Sequence, residues 1–367
     1  MHPCGICFQL QQPPVSDMIF YYGILLRPRV LSAAPDGNGG MLMPVRKPLL
    51  LAIAAIVAGM LLVESVILFQ PSGRGTATPD VVIGLVLTDC EDDWKQQMYD
   101  SIQQAARRSH IQVTTIQTAR TQADQIDAIR TLLVYRTNAI IFSPVMENGW
   151  EYILSEAAEA EIPLITINER LSQSAAGGPQ DSACQVYHVG FDYYALSGQL
   201  AATLCQSGSD GFQLVQLGGT VASSAAHDIS DGFQGSLSQS SQYRLCFSVG
   251  GDYMRSRAYE LIRSLLRNEY EFDTVLSYND GMTLGVIDAL EANGLRPGSD
   301  VRIFSLGGGE SVMQAFSDGK INALGQCDLT DFGTTVIDLV WMLEQGGSPA
   351  ENTLLPGTLL VNGGIGP

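Results

Sequence analysis

The side chains able to do chemistry in this sequence gather in short polar loops, each placed after an apolar run and before a helix-like stretch. Cys90-Glu91-Asp92-Asp93-Trp94 follows an apolar run at 81–87, the loop holding Glu147 and Trp150 follows 139–143, and Asn168-Glu169-Arg170 follows 163–167. Further on, a loop reaching His227 and Asp228 follows 212–217, Tyr278-Asn279-Asp280 follows 274–277, and Gln326 closes a run that begins at Ala323. Amides, carboxylates and indoles on converging loops suit a molecule with hydroxyl groups at its edge and an apolar face for stacking, as a sugar ring has. Taken singly, each Asp or Asn stands where a helix N-cap would, and reads as one. Taken together they read as a ligand site, with Glu91, Asp93, Trp94, Glu147, Trp150, Asn168, Glu169, Arg170, His227, Asn279, Asp280 and Gln326 as its candidates.

Catalytic patterns are missing from the sequence. It has no Gly-x-Ser-x-Gly elbow, no His-Glu-x-x-His and no Walker-type phosphate loop. Gly307-Gly308-Gly309 follows a strand-like run but lacks the Gly-x-Gly-x-x-Gly spacing, so it reads as a turn. Histidines number only four, few for a metalloenzyme. Cys90, Cys184, Cys205, Cys246 and Cys327 are an odd set at wide spacing, neither a disulfide framework nor a zinc site, and Cys4 with Cys7 alone is weak evidence for metal. The expectation is binding without chemistry: no enzyme, no cofactor, no metal.

The elements that would position these loops alternate regularly. Strands are expected at 81–87, 111–115, 139–143 and 163–167, and again at 212–217, 244–249, 274–277, 301–305 and 323–325. Helices are expected between them, at 94–108, 121–133, 150–160, 195–204, 230–237, 256–267, 283–292 and 332–343. Strands apolar throughout and separated by helices mean a parallel sheet covered on both faces. A Gly/Ser/Pro-rich gap at 172–183 divides the alternation into two βα-repeating halves. Open α/β sheets bind ligands at the carboxyl ends of their strands, so two facing lobes would make a cleft.

Charge and hydropathy divide the 367 residues differently. The net charge is −18, which excludes nucleic acid as a partner because its phosphates need clustered Lys and Arg. Residues 1–47 nonetheless hold Arg27, Arg29, Arg46 and Lys47 against only Asp17 and Asp36. Just beyond, 49–69 is an apolar run broken only near its far end, at Glu64 and Ser65, and is long enough for the ~20 residues that cross a bilayer. A cleaved signal peptide would have an apolar region of about 7–15 residues ending at a small-x-small site, which this run lacks. The expectation is a single-pass anchor at 48–70, with the basic side cytoplasmic and everything after Gln70 outside. Residues 1–40 show no sustained periodicity, and a start at Met41 or Met43 would lead straight into the anchor, so they are expected to be an extension. Residues 71–78 read as a linker, 79–190 plus 327–350 as the first lobe, and 191–326 plus 351–367 as the second.

Several stretches carry a family resemblance: Ser143-Pro-Val-Met-Glu-Asn-Gly-Trp150, Ala160-Glu-Ile-Pro163, Gln216-Leu-Gly-Gly-Thr-Val221, Asp231-Gly-Phe233, Gly251-Asp-Tyr-Met-Arg255, and Tyr278-Asn-Asp-Gly-Met282 running on to Gly294-Leu-Arg-Pro-Gly298. In this order, over residues 79–363, they resemble the type I periplasmic solute-binding proteins of the ribose/galactose class, and most of all the galactofuranose-binding branch. The resemblance implies an α/β fold of two Rossmann-like lobes joined by three crossovers and closing on a monosaccharide by hinge motion. It implies an ABC-type permease as partner. The anchor brings in the membrane-held members that pair with sensor histidine kinases as an alternative, and a domain that only docks onto other proteins as another.

The sequence departs from the family at three places. Where the resemblance implies Asp-Arg on the sugar hydroxyls, the chain has Asn168-Glu169, with Arg170 displaced by one. His227 stands where an arginine is often found, and Gly307 where an aspartate is expected. Glu cannot replace an Arg fork, because an ionised carboxylate only accepts hydrogen bonds. Asn279, Asp280, Trp94 and Trp150 fit the pattern.

Overall fold

The computed structural model describes residues 81–172, 184–206, 211–237 and 243–362. The expected anchor at 48–70, the linker and the N-terminal segment lie outside the described residues. Among the described residues no helix is long and apolar enough to cross a membrane.

The first half alternates β1 (Val82–Thr88), α1 (Asp93–Arg108), β2 (Gln112–Thr118), α2 (Gln122–Val134), β3 (Ala139–Phe142), α3 (Glu151–Ala160), β4 (Leu164–Ile167) and β5 (Val186–Phe191). The second runs through α4 (Tyr193–Gln206), β6 (Phe212–Gly218), α5 (Ser224–Leu237), β7 (Tyr243–Gly250), α6 (Arg255–Arg267), β8 (Thr274–Ser277), α7 (Asp280–Ala292), β9 (Arg302–Gly307), α8 (Glu310–Ser317) and β10 (Ala323–Gln326). The chain ends with α9 (Phe332–Glu344), β11 (Asn352–Leu355) and β12 (Thr358–Val361).

Two six-stranded sheets result, in the orders β11-β5-β4-β3-β1-β2 and β12-β10-β9-β8-β6-β7. The orders are equivalent strand for strand, as two copies of one βα unit would give. Pairing is parallel except between β10 and β12, which run antiparallel. All residues of β3, β4 and β8 are buried, as strands covered on both faces must be. Edge strands β2 and β7 are instead largely half-exposed.

The chain passes between lobes three times: between β5 and α4, between β10 and α9, and between β11 and β12. Helix α4 packs on α5 in the second lobe, whereas α9 returns to pack on α1 in the first. Residues 352–355, expected in the second lobe, form β11 on the edge of the first sheet, paired with β5. The third crossing is therefore the Pro356-Gly357 step, whose short flanking strands the sequence reading passed over. It also passed over β5, next to the Gly/Ser/Pro-rich gap, and α8, which follows the glycine run. The first turns of α5 were missed too, because they carry small residues in place of a large apolar stripe.

Buried Gln125 on α2 sets the mouth of the first lobe. Its amide nitrogen donates to Thr88 Oγ1 at 2.9 Å and to the Ser143 carbonyl at 2.7 Å, while its oxygen accepts from Val145 N at 3.0 Å. One side chain thus ties together the loops after β1 and β3, where the strand order reverses.

Where α9 meets α1 the backbones touch: a Cβ on Gly333 would lie 2.2 Å from the Ser101 carbonyl oxygen. Gly333→Ala must push the helices apart, and should lower the unfolding free energy by about 1–3 kcal/mol. Chemical denaturation checks this, and an unchanged midpoint would contradict it. His188 on β5 gives a pH prediction. Burial, and then the Arg170 charge, lower its pKa from 6.5 to about 4, so between those values the unfolded chain binds more protons. Stability should fall as pH falls through this window, and less steeply in His188→Gln.

Candidate functional site

A cavity of about 80 Å³ lies between the lobes, walled by residues from the carboxyl ends of strands in both sheets. At roughly 10–15 Å³ per water it has room for about half a dozen waters, the scale of one monosaccharide. The first lobe lines it with Asp89, Cys90, Asp92, Trp94, Lys95, Arg120, Asn168 and Glu169. The second supplies Tyr193, Ala225, Ile229, Tyr253, Tyr278, Asn279, Asp280 and Gly307.

Of the candidates read from the sequence, Trp94, Asn168, Glu169, Asn279 and Asp280 come together on this cavity. Trp94 lies in the first turn of α1, which Asp92 caps by accepting from Trp94 N at 2.8 Å and Lys95 N at 3.3 Å. Its indole N–H donates to the Cys327 carbonyl at 2.8 Å, tying the ring to the second crossover. Asn279 caps α7 through Met282 N at 3.0 Å, and its amide nitrogen donates across the cleft to Asp92 Oδ2. Asn168 adopts a left-handed backbone, φ +63°, and accepts from Tyr193 Oη at 2.6 Å.

Glu169 does something the family pattern does not imply. It is 7% exposed, and it accepts from Ser223 Oγ at 2.7 Å, Ser224 Oγ at 2.8 Å and Ala225 N at 3.0 Å, all at the start of α5. A carboxylate at a helix N-terminus satisfies orphan amides and suits the helix dipole. Here the cap comes from the opposite lobe. Arg170 follows it across, donating to Asp228 on α5 through both terminal nitrogens, one at 2.7 Å, while its own amide donates to Ser224 Oγ at 2.8 Å. The lobes are latched shut by a segment expected to grip ligand.

Seven candidates lie off the cavity lining. Trp150 is fully buried, packs on Phe142 with ring centroids 5.2 Å apart, and donates its indole N–H to the Met146 carbonyl at 2.7 Å. It is a core residue, because α3 turns the ring inward under its own loop. Glu147 pairs with His227 at 2.5 Å and its amide donates to the Ala222 carbonyl at 2.9 Å, so both side chains join the lobes at the cleft edge. Glu91 is exposed and reaches Ser256 Oγ at 3.3 Å. Asp93, also exposed, accepts from Ser311 Oγ at 2.8 Å. Arg170 is taken up by Asp228, and Gln326 lies at the end of β10 beside Gly308.

Gly307 explains one departure in full. Its φ is +144°, and a Cβ there would lie 1.6 Å from Asp280 Oδ1. No side chain fits. The Asp280 carboxylate fills that space, accepting from Gly308 N at 3.0 Å and Gly309 N at 2.6 Å. Burial, and then the nearby Asp92, hold the Asp280 carboxyl well above the usual range. Asp92 is also raised, chiefly by burial.

Sequence reading missed the tyrosines. Tyr253, in left-handed backbone at φ +58°, bonds Ser223 Oγ at 2.7 Å, and Tyr278 accepts from Gln216. Burial raises the pKa of Tyr193, Tyr253 and Tyr278, so all three stay neutral. Tyr278 stood in a loop singled out by sequence and Tyr253 in a stretch carrying the family resemblance, yet neither was a candidate. The five cysteines Cys90, Cys184, Cys205, Cys246 and Cys327 are free thiols, with burial pushing Cys184 up to about 12.

Residues 83–348 match the family described as periplasmic binding protein domain. The galactofuranose-binding protein YtfQ of Escherichia coli (strain K12) is 27% identical over 304 residues, 82% of this chain and 93% of its own. The fructose import binding protein FruE of Bifidobacterium longum (strain NCC 2705) is 26% identical over 274 residues, 73% of this chain and 81% of its own. A Mycobacterium smegmatis protein solved in complex with β-D-fucofuranose superposes with a TM-score of 0.71 at 27% identity, covering 78% of this chain and 92% of that one.

Removing the Glu169 latch has a measurable consequence. Glu169→Ala strands two hydroxyls and an amide at a buried interface, and should reduce stability by about 1–3 kcal/mol. Glu169→Gln keeps an acceptor and should lose less. Thermal unfolding of the full-length protein checks both, and a wild-type transition in Glu169→Ala would contradict the latch.

Proposed function

The chain belongs to the periplasmic binding protein domain family, and from that premise we propose that it binds a neutral monosaccharide in its furanose form, outside the cytoplasm, for delivery to an ABC-type import permease. The observation that carries this reading is the cavity itself. Trp94 and three neutral tyrosines supply apolar faces, and Asn168, Asn279, Asp92 and Asp280 supply amides and carboxylates, drawn from both lobes. A sugar needs that combination: a surface to stack on and hydrogen-bonding groups in a ring around its edge. The named ligands of the relatives, galactofuranose and β-D-fucofuranose, are five-membered-ring sugars, and the import role named for FruE supports delivery to a permease.

In this reading Trp94 is the stacking residue, Asn168, Asn279 and Asp280 face the hydroxyls, and Glu169 closes the lobes over them. Ligand bound between two lobes stabilises the closed form by its differential affinity for it. The apolar run at 49–69 would hold the domain at the outer face of the cell membrane.

Thermal unfolding of the full-length protein against D-galactose, D-fucose, L-arabinose and D-fructose, whose solutions contain furanose forms, tests the reading. A sugar present at 100 times its dissociation constant should add about 2.7 kcal/mol. Trp94→Ala should weaken that sugar by at least about tenfold, whereas Trp150→Ala should lower stability of the free protein. No shift with any of the four sugars would overturn the furanose reading.

A further inference from the structure

Asp92 and Asp280 reach the cavity from opposite lobes, with 8% and 2% of their surface exposed. Asp92 is held at the start of α1 by the Trp94 and Lys95 amides, and Asp280 is held by the Gly308 and Gly309 amides at the start of α8. A Cβ on Gly309 would lie 2.6 Å from Asp280 Oδ2 and 3.2 Å from Trp94 N, the amide bound to Asp92. About a methyl group's width therefore separates the supports of the two carboxylates, and Asn279 bonds Asp92 directly.

The positive charge near the pair is weak: Lys95 opposes the rise at Asp92, but burial outweighs it. Among the described residues neither carboxylate is in an ion pair. Lys95 touches Asp92 through its backbone amide, and Arg120, exposed at the rim, donates to the Asp252 carbonyl at 2.5 Å. The other groups facing the pair are Asp93, which adds negative charge, and the thiols Cys90 and Cys327, which burial keeps neutral. Two like charges brought together in a dry cleft disfavour their joint ionisation. Both groups are raised, as this arrangement requires.

Resting on the sugar-binding reading for its ligand, we propose that closure of the cleft places one proton on the Asp92–Asp280 pair, taken from solvent, and that the resulting carboxylic acid is the specificity element of the pocket. The O–H formed donates to a ligand oxygen, which two carboxylates cannot do. A site with such a donor selects for an acceptor at that point on the ring and rejects an analogue lacking it, because the buried acid would then go unpaired. The pair thereby supplies a hydrogen-bond donor in a pocket whose lobe-joining loop holds Glu169 turned toward α5.

The closed form binds more protons than the open or unfolded chain. Its stability should accordingly fall as pH rises above the ordinary carboxylate value of 3.8, until the raised values of the pair are passed. Two experiments on the full-length protein test this. Without sugar, the wild type should lose thermal stability relative to Asp92→Asn and Asp280→Asn as pH rises above the ordinary carboxylate value, on top of the opposing His188 trend that all three share. Asp92→Asn keeps a good helix cap, so it folds even if Asp280→Asn does not. With D-galactose, calorimetry in buffers of different ionisation enthalpy should show uptake of one proton per site in the wild type, and affinity should fall about tenfold per pH unit within the window. Asp92→Asn should show less uptake, because Asp280 loses the Asp92 charge and keeps only its burial. Matching pH profiles in wild type and variants would overturn the proposal. If D-galactose fails to bind while the sugar-free profiles diverge, the proton site stands and the sugar reading falls.

Discussion

A buried carboxylate whose donors belong to the other lobe is the constraint on which the closed structure depends. Glu169 is buried in the closed cleft and finds its three donors at the start of α5. A carboxylate covered there without partners would be strongly unfavourable, so the lobes can close only as these bonds are made. The rest of the interface follows from that contact. Arg170 is carried to Asp228, Glu147 to His227 and the Ala222 carbonyl, and Ser223 to Tyr253. The cavity is what remains enclosed when these pairs have formed. Opening it means returning several polar groups to water together, which favours a two-position hinge over a gradual one.

The same constraint divides the polar residues into two crews. Glu169, Arg170, Glu147 and His227 hold lobe to lobe. Asp92 and Asn279 hold each other inside the cavity beside Asp280, which the Gly308 and Gly309 amides hold, and Trp94 reaches the second crossover through the Cys327 carbonyl. A ligand entering the cleft competes with this internal network for the second crew and leaves the first untouched. Specificity thus rests on the second crew, while closure draws on both, since the Asn279–Asp92 bond also crosses the cleft.

Much of the fold was legible in the sequence because burial on both faces writes itself as uninterrupted apolar runs. β3, β4 and β8 were readable for that reason. The edge strands β11 and β12 were not, since half-exposed residues beside Pro356-Gly357 lack such a run. The site was harder to read. Trp94 and Trp150 both sit at helix starts after polar loops, and sequence offers nothing to separate them. Only packing shows that one ring meets the cavity and the other meets Phe142. Glu169 stood out as a departure from the family pattern, but its role lay in donors 54 to 56 residues away. Gly307 looked like a lost acceptor. The Asp280 carboxylate occupying its side-chain space is a three-dimensional fact that no spacing encodes.

The central claim is that two lobes close over a furanose sugar in the cleft and that Glu169 fastens them. Small-angle X-ray scattering from the full-length protein, titrated with D-galactose and then repeated for Glu169→Ala, measures closure directly. The account predicts an expanded variant without sugar that contracts, saturably, toward the wild-type radius of gyration as sugar is added. A variant with the wild-type radius throughout, indifferent to sugar, would contradict it.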